Sequence, residues 1–247
     1  MTEVKLDVRD RVAVVTLDAP QRRNALTPQM ASELVLAVDE VDSDDRVGAI
    51  VISGGASFCA GADMQTLQEA GADPCGDASY RAIEGIYNAF VRVGNSRVPT
   101  VAAVRGAAVG AGLNLALASD ARVVSRDARL LSGFSMIGIH PGGGHFVLLH
   151  RSAGREAAAA MGLFGSEISG ARAAELGMAF RAVDDADVDA AAFELVRHVA
   201  RDPALSRRTT ASFRRETAEG GLPWDVGIEV ERGPQMWSFS RKQTSLA

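Results

Sequence analysis

Twice in this chain a short apolar strand runs into glycines and emerges as a helix. The first instance joins Val47–Ile52 to "SGGASFCAGADMQTL", and the second joins Thr100–Val104 to "GAAVGAGLNLALASD". Small residues at such a corner let the backbone turn sharply and let a ligand approach the main chain. The helix that follows presents unpaired N–H groups and the positive end of its dipole at the same point. Either corner alone fits an ordinary turn. If the two face each other, two backbone N–H groups can hold one developing oxyanion, each typically contributing about 3–4 kcal/mol to a transition state.

The rest of the chain supplies a frame for these corners. Val4–Val8 and Val12–Leu17 read as strands around Arg9–Asp10–Arg11. Thr27 and Pro28 form an N-cap and first-turn pair, and Met30, Leu34, Ala37, Val38 and Val41 follow at helical spacing. The acidic Asp42–Asp45 stretch closes that helix. A polar segment, Gly71–Asp77, precedes a helix over Tyr80–Val93, and Ala121–Ser125 and Arg129–Ser132 read as strands. "HPGGGH" (His140–His145) is a loop leading into a helix through Leu149, with Ala157–Gly162 favouring helix as well. Beyond it the chain is helical except near Ala179–Val183, with helices expected over Ala186–Ala200, Ser206–Ala218 and Trp224–Phe239, and Pro203 interrupting between the first two. This order predicts an α/β core over 1–185 and a helical C-terminal region over 186–247.

Composition narrows the function classes. Hydrophobic residues at 47% and charged residues at 23% suit a soluble globular chain. A formal net charge of −5 argues against nucleic acid as a partner. The N-terminal stretch lacks a basic segment followed by an apolar run, and no apolar run reaches the roughly 18–20 residues of a membrane span. Cys59 and Cys75 give neither a disulfide framework nor a metal spacing. The expectation is a cytoplasmic protein with no membrane, nucleic-acid or metal partner.

In order along the chain, "RRNALTPQM", "AIVISGGASFCAGADM", "VPTVAAVRGAAVGAGLNLALASDARV" and "GIHPGGG" resemble the successive blocks of the crotonase (enoyl-CoA hydratase/isomerase) family, from about Val12 to Asp184. The resemblance implies a ClpP/crotonase-like spiral of ββα units whose helical C-terminal region assembles a homotrimer, or a hexamer of two trimers. It also implies an acyl-CoA ligand of fatty acid metabolism, with coenzyme A as part of the substrate and no separate cofactor. The thioester oxygen would accept hydrogen bonds from the N–H groups of Ala62 and Ala111. Family members often carry glycine at the latter position, but the donor is main chain, so alanine serves. Arg23 and Ala25 match positions that contact the nucleotide. Ala60, Gly61, Asp63 and Met64 would line the acyl-pantetheine path, with Gly110 and Phe134 completing the pocket.

The same match places Asn114 and Phe134 where the family's hydratases carry two glutamates. General acid–base help is typically worth about 10²–10⁴-fold, and neither an amide nor a phenyl ring supplies it near neutrality. Efficient hydration is therefore not expected. An enzyme would run an atypical enolate reaction (isomerisation, decarboxylation or hydrolysis); the alternative is a non-catalytic carrier or sensor of acyl-CoA. His140 and His145 are candidates for proton transfer because imidazole titrates near neutral pH. With His150 they are too loosely spaced for zinc. Asn114 could orient water or a carbonyl, or satisfy the backbone. Asp63 and Asp120 read as structural, and Cys59 as a packing residue. Ser135 lies outside any Gly-x-Ser-x-Gly elbow, and "GAGLNL" lacks the third glycine of a dinucleotide fingerprint. Lys242, in the terminal "SRKQTSLA", is either a phosphate contact, of its own or a neighbouring subunit's nucleotide, or part of a frayed tail.

Overall fold

Alternation along the apolar strands sorts their side chains into two buried layers. The computed structural model describes residues 2–218 and 220–246, the side chains of 242–246 excepted. The strands are β1 (Val4–Arg9), β2 (Val12–Leu17), β3 (Ala49–Ser53), β4 (Thr100–Val104), β5 (Ala107–Val109), β6 (Ala121–Ser125), β7 (Arg129–Leu131), β8 (Ile168–Ser169) and β9 (Arg181–Val183). A six-stranded sheet has the order β1-β2-β3-β4-β6-β9, antiparallel only at β1–β2. A small second sheet, β5-β7-β8, stands beside it. Val15, Ile50, Ile52, Ala102 and Val104 face one layer of core, whereas Val12, Ala49, Val51, Val101 and Ala103 face the other. Successive strand residues point to opposite faces, so strands covered on both sides read as continuous apolar runs.

The helices are α1 (Pro28–Ser43), α2 (Met64–Ala72), α3 (Asp77–Gly94), α4 (Ala111–Ala118), α5 (His145–Gly162), α6 (Gly170–Glu175), α7 (Val188–Ala200), α8 (Pro203–Glu216) and α9 (Trp224–Leu246). Helices α1, α3 and α4 bury their apolar faces in the first layer. Helix α7 covers the second with Val188, Ala192, Val196 and Ala200. Thr27 caps α1 as expected, its Oγ1 accepting from the Met30 N–H at 3.0 Å. The acidic end of α1 also clasps α3: Asp42 accepts from Arg92 at 2.7 Å and from the Arg97 N–H at 2.8 Å.

Several local expectations are corrected. Pro203 does not merely interrupt; it opens α8 behind an Asp202 cap whose carboxylate accepts from the Leu205 N–H at 3.1 Å. The two helical stretches after the PGGG run are, by contrast, both present as expected, parted at Gly154, where φ is 76° and ψ 177°. A strand, β5, stands inside the second corner between Gly106 and Gly110. His145 is not a loop residue: it opens α5 and is buried.

Candidate active site

The first corner is held by a side chain that the sequence pattern did not mark. Asn24 sits at φ 55° and is buried; asparagine tolerates this left-handed region better than most residues. Its Oδ1 accepts from the Ala19 N–H at 2.8 Å, and its Nδ2 donates to the carbonyls of Gly54 (2.8 Å) and Ser57 (2.7 Å). The loop is stitched further by Ala60 N–H to the Arg23 carbonyl (3.0 Å), Leu26 N–H to Gly61 (2.7 Å) and Asp63 N–H to Leu26 (2.9 Å). Ala62 lies within this ladder, bridged in parallel to Leu26. Its own N–H has no acceptor among the described residues.

The second corner is tied to the first. The Cys59 N–H donates to Ala107 at 3.0 Å, and the Val109 N–H donates back to Cys59 at 3.1 Å. After β5 the chain turns at Gly110, with φ 52° and ψ −114°, a backbone state that a side chain would strain. Helix α4 starts at once, and the Asn114 N–H closes its first bond on the Gly110 carbonyl at 3.0 Å. Ala111 is the first helical residue, so its N–H has no partner within the helix. It has none elsewhere among the described residues.

Ala62 and Ala111 line one cavity of about 190 Å³. Ala60, Gly61 and Met64 from the first corner and Gly110 from the second share its wall. Leu67, Ile83, Ile86, Tyr87, Val109, Phe134, Ile137 and Ile139 make most of the remainder apolar. Arg23 and Ala25 do not line it; Arg23 is exposed and meets the cavity wall only through its carbonyl on Ala60. Asp63 is also outside, occupied as the cap of α2 with the Thr66 N–H at 3.1 Å. Asp120 is structural too, accepting from Thr100 and from Arg214. Cys59 is fully buried, and desolvation pushes its thiol up to about 12, so it packs as an inert group. The Lys242 side chain lies outside the described residues.

At the inner end of the cavity the polar groups form a chain. Ser132 Oγ lies 2.6 Å from His145 Nε2, and His145 Nδ1 lies 2.7 Å from Asn114 Oδ1. Asn114 Nδ2 donates to the Gly142 carbonyl at 3.0 Å. Asn114 and His145 are 1% and 2% exposed, so these contacts are shielded from water. Burial pushes the imidazole down to about 4, and it is neutral at physiological pH. Phe134 meets the same ring edge-on, with centroids 4.9 Å apart. His140 lines the cavity but is exposed, its Nδ1 2.6 Å from the Pro141 carbonyl. The structure thus brings Asn114, His145 and Phe134 together and leaves His140 at the rim. Ser132 was missed, because no motif surrounds it and its partner is 13 residues away. No group of three or more His, Cys, Asp or Glu that could hold a metal occurs among the described residues. No helix among them is long and apolar enough to cross a membrane.

Comparison with known proteins follows the same outline. A family model described as enoyl-CoA hydratase/isomerase matches residues 7–231. The "Probable enoyl-CoA hydratase EchA14" of Mycobacterium tuberculosis is 38% identical over 237 residues, covering 94% of this chain and 90% of its own. The 1,2-epoxyphenylacetyl-CoA isomerase of Escherichia coli is 36% identical over 202 residues, covering 80% and 76%. Among solved structures, an enoyl-CoA hydratase from Polaromonas sp. JS666 superposes with a TM-score of 0.85 at 28% identity, covering 94% of this chain and 90% of that one. A Thermobifida fusca YX protein solved in complex with CoA gives a TM-score of 0.83 at 29% identity, covering 98% and 95%.

Proposed function

The chain belongs to the enoyl-CoA hydratase/isomerase family and has the crotonase fold, and from that premise we propose that it binds an acyl-CoA thioester and polarises its carbonyl between the N–H groups of Ala62 and Ala111. The observation that carries this reading is a pair of donors without acceptors, built by separate corners, on the wall of one largely apolar cavity. Two such preorganised donors are typically worth about 3–4 kcal/mol each where negative charge develops on oxygen. Ala60, Gly61, Met64 and Gly110 would flank the acyl end and Phe134 its far wall. Arg23, next to this wall through its carbonyl on Ala60, and Ala25 would meet the nucleotide. The family's usual assembly as a trimer or hexamer through the 186–247 region, and a cytoplasmic location, belong to the same proposal.

Hydration is not the reaction this site favours. With Asn114 and Phe134 at the positions of the two glutamates, chemistry that draws on the carbonyl alone remains: an enolate reaction or cleavage at the thioester. The second reading, a carrier or sensor that does not transform its ligand, is favoured by the phenyl ring of Phe134 against a neutral histidine. Titration calorimetry with acetyl-, butyryl- and octanoyl-CoA, run beside product analysis of the same mixtures, separates them. Binding with turnover supports the enzyme, and binding alone supports the carrier. Absence of binding to any thioester removes both.

A further inference from the structure

The Ser132–His145–Asn114 chain has a direction. Asn114 gives its amide hydrogen to the Gly142 carbonyl at 3.0 Å, which turns Oδ1 toward His145. The opposite amide orientation would set two carbonyl oxygens against each other. A carbonyl oxygen 2.7 Å from Nδ1 can only accept, so the ring proton sits on Nδ1. Nε2 then carries the lone pair, and the Ser132 hydroxyl donates to it at 2.6 Å. A hydroxyl, a base within hydrogen-bond reach and a third group orienting that base form the constellation of an activated nucleophile, which is recognised by geometry rather than by chain order.

Its position matches its polarity. Ser132 follows β7, which lies parallel to β5, and the Gly110 N–H donates to Leu131 at 3.1 Å. Gly110 is therefore the backbone neighbour of Ser132 at the end of the small sheet, Ala111 follows it as the first residue of α4, and Ser132, Ala62 and Ala111 line the same cavity.

We propose that Ser132 is a nucleophile for acyl-thioester cleavage, with His145 as its base and Asn114 as the residue that positions the base. The proposal rests on the acyl-CoA reading above. Ser132 Oγ bonds to the thioester carbon, its proton moves to His145 Nε2, and the carbonyl electrons go to an oxyanion at the Ala62 and Ala111 N–H groups. Collapse breaks the C–S bond, and coenzyme A leaves as the thiol with the proton from Nε2. Water then attacks the acyl-serine, giving a proton to Nε2 that returns to Ser132 as the carboxylic acid departs. Water is the only co-reactant. The neutral state of His145 leaves Nε2 free to accept the proton. An amide partner stabilises the resulting imidazolium less than a carboxylate would, so turnover is slow.

The test uses the full chain with butyryl-CoA, reading thiol release and the mass of the acid-quenched protein. The expected result is release of coenzyme A with a butyryl adduct on the peptide containing Ser132. Ser132→Ala should retain butyryl-CoA binding by calorimetry, lose the adduct and slow thiol release by at least about 100-fold. Asn114→Ala removes the acceptor on Nδ1, so it should slow release and move the acid limb of the pH profile downward, which loss of a merely structural amide would not do. Binding without adduct or thiol release overturns the nucleophile, as does release that survives Ser132→Ala. If butyryl-CoA does not bind, the acyl-CoA reading fails instead, and a fluorophosphonate probe decides on Ser132 alone. Labelling of Ser132 that is lost in His145→Gln supports an activated hydroxyl, and no labelling overturns it.

Discussion

A methyl group added to Gly112 would lie 2.7 Å from Cβ of Cys59, and nearer still to the Cys59 carbonyl oxygen. The first turn of α4 thus rests directly on the loop that carries Ala62. That contact, with the Cys59–Ala107 and Val109–Cys59 hydrogen bonds, fixes the spacing between the two corners. Neither corner can move without the other, and the two free N–H groups keep their relation before any ligand arrives.

Gly112→Ala should therefore damage stability and binding together. Overpacking of this kind typically costs about 1–3 kcal/mol, and here the obstacle is backbone that cannot rotate away. A fall in the denaturation midpoint, with loss of acyl-CoA affinity in calorimetry, is the expected outcome. Gly85→Ala is the control. It lies in α3 with nothing within 4 Å of the added carbon, and it should gain about 0.5–1 kcal/mol without altering affinity. Unchanged affinity in Gly112→Ala would separate the binding site from this contact.

Asn24→Ala removes four hydrogen bonds at once and strips the Ala19 N–H and the Gly54, Ser57 and Phe58 carbonyls of this partner. Each buried polar group left unsatisfied costs about 1–3 kcal/mol. Asn24→Asp keeps the acceptor but sets a carboxylate against three carbonyls, so it should not rescue. Chemical denaturation of both variants checks this; a stable Asn24→Asp would show that the loop is held by Leu26 and Arg23 alone.

What could be read from the chain and what could not divide by distance along it. The β2 and β4 strands, the Thr27 cap and the two glycine corners are local patterns, and each stands where periodicity or turn chemistry placed it. The β5 strand was hidden because its three residues lie between glycines and show no alternation. Asn24, Ser132 and His145 are different in kind. Their partners lie up to 34 residues away, and their roles arise only when the corner, β7 and α5 pack together. A histidine after three glycines reads as a loop residue because nothing local shows that it enters the interior.

His145 makes acid stability a test of its burial. Its value is about 4 in the folded protein against 6.5 when free. Between these the unfolded chain binds the extra proton and the folded one does not, so stability falls with pH in this window. The contribution of neutral His145 is complete above pH 6.5 and gone below about 4, with a slope of at most about 1.4 kcal/mol per pH unit. Denaturation midpoints at pH 7 and 4.5 should therefore diverge more in the wild type than in His145→Gln. Equal losses would mean that the ring is hydrated.

The pair Asn114→Glu and Phe134→Glu addresses whether these positions face the reacting carbons. Asn114 is 1% exposed beside the Gly142 carbonyl, and Phe134 is half-buried on the cavity wall. A carboxyl at 114 loses the donor to Gly142 and meets an oxygen in its place, which favours the protonated form suited to delivering a proton. A carboxyl at 134, nearer water, stays ionised and can take a proton from an attacking water. The double variant should hydrate crotonyl-CoA, seen as loss of enoyl-thioester absorbance, and should lose any thioester cleavage, because the amide that orients His145 is gone. A folded double variant that binds crotonyl-CoA without hydrating it would place positions 114 and 134 away from the α and β carbons.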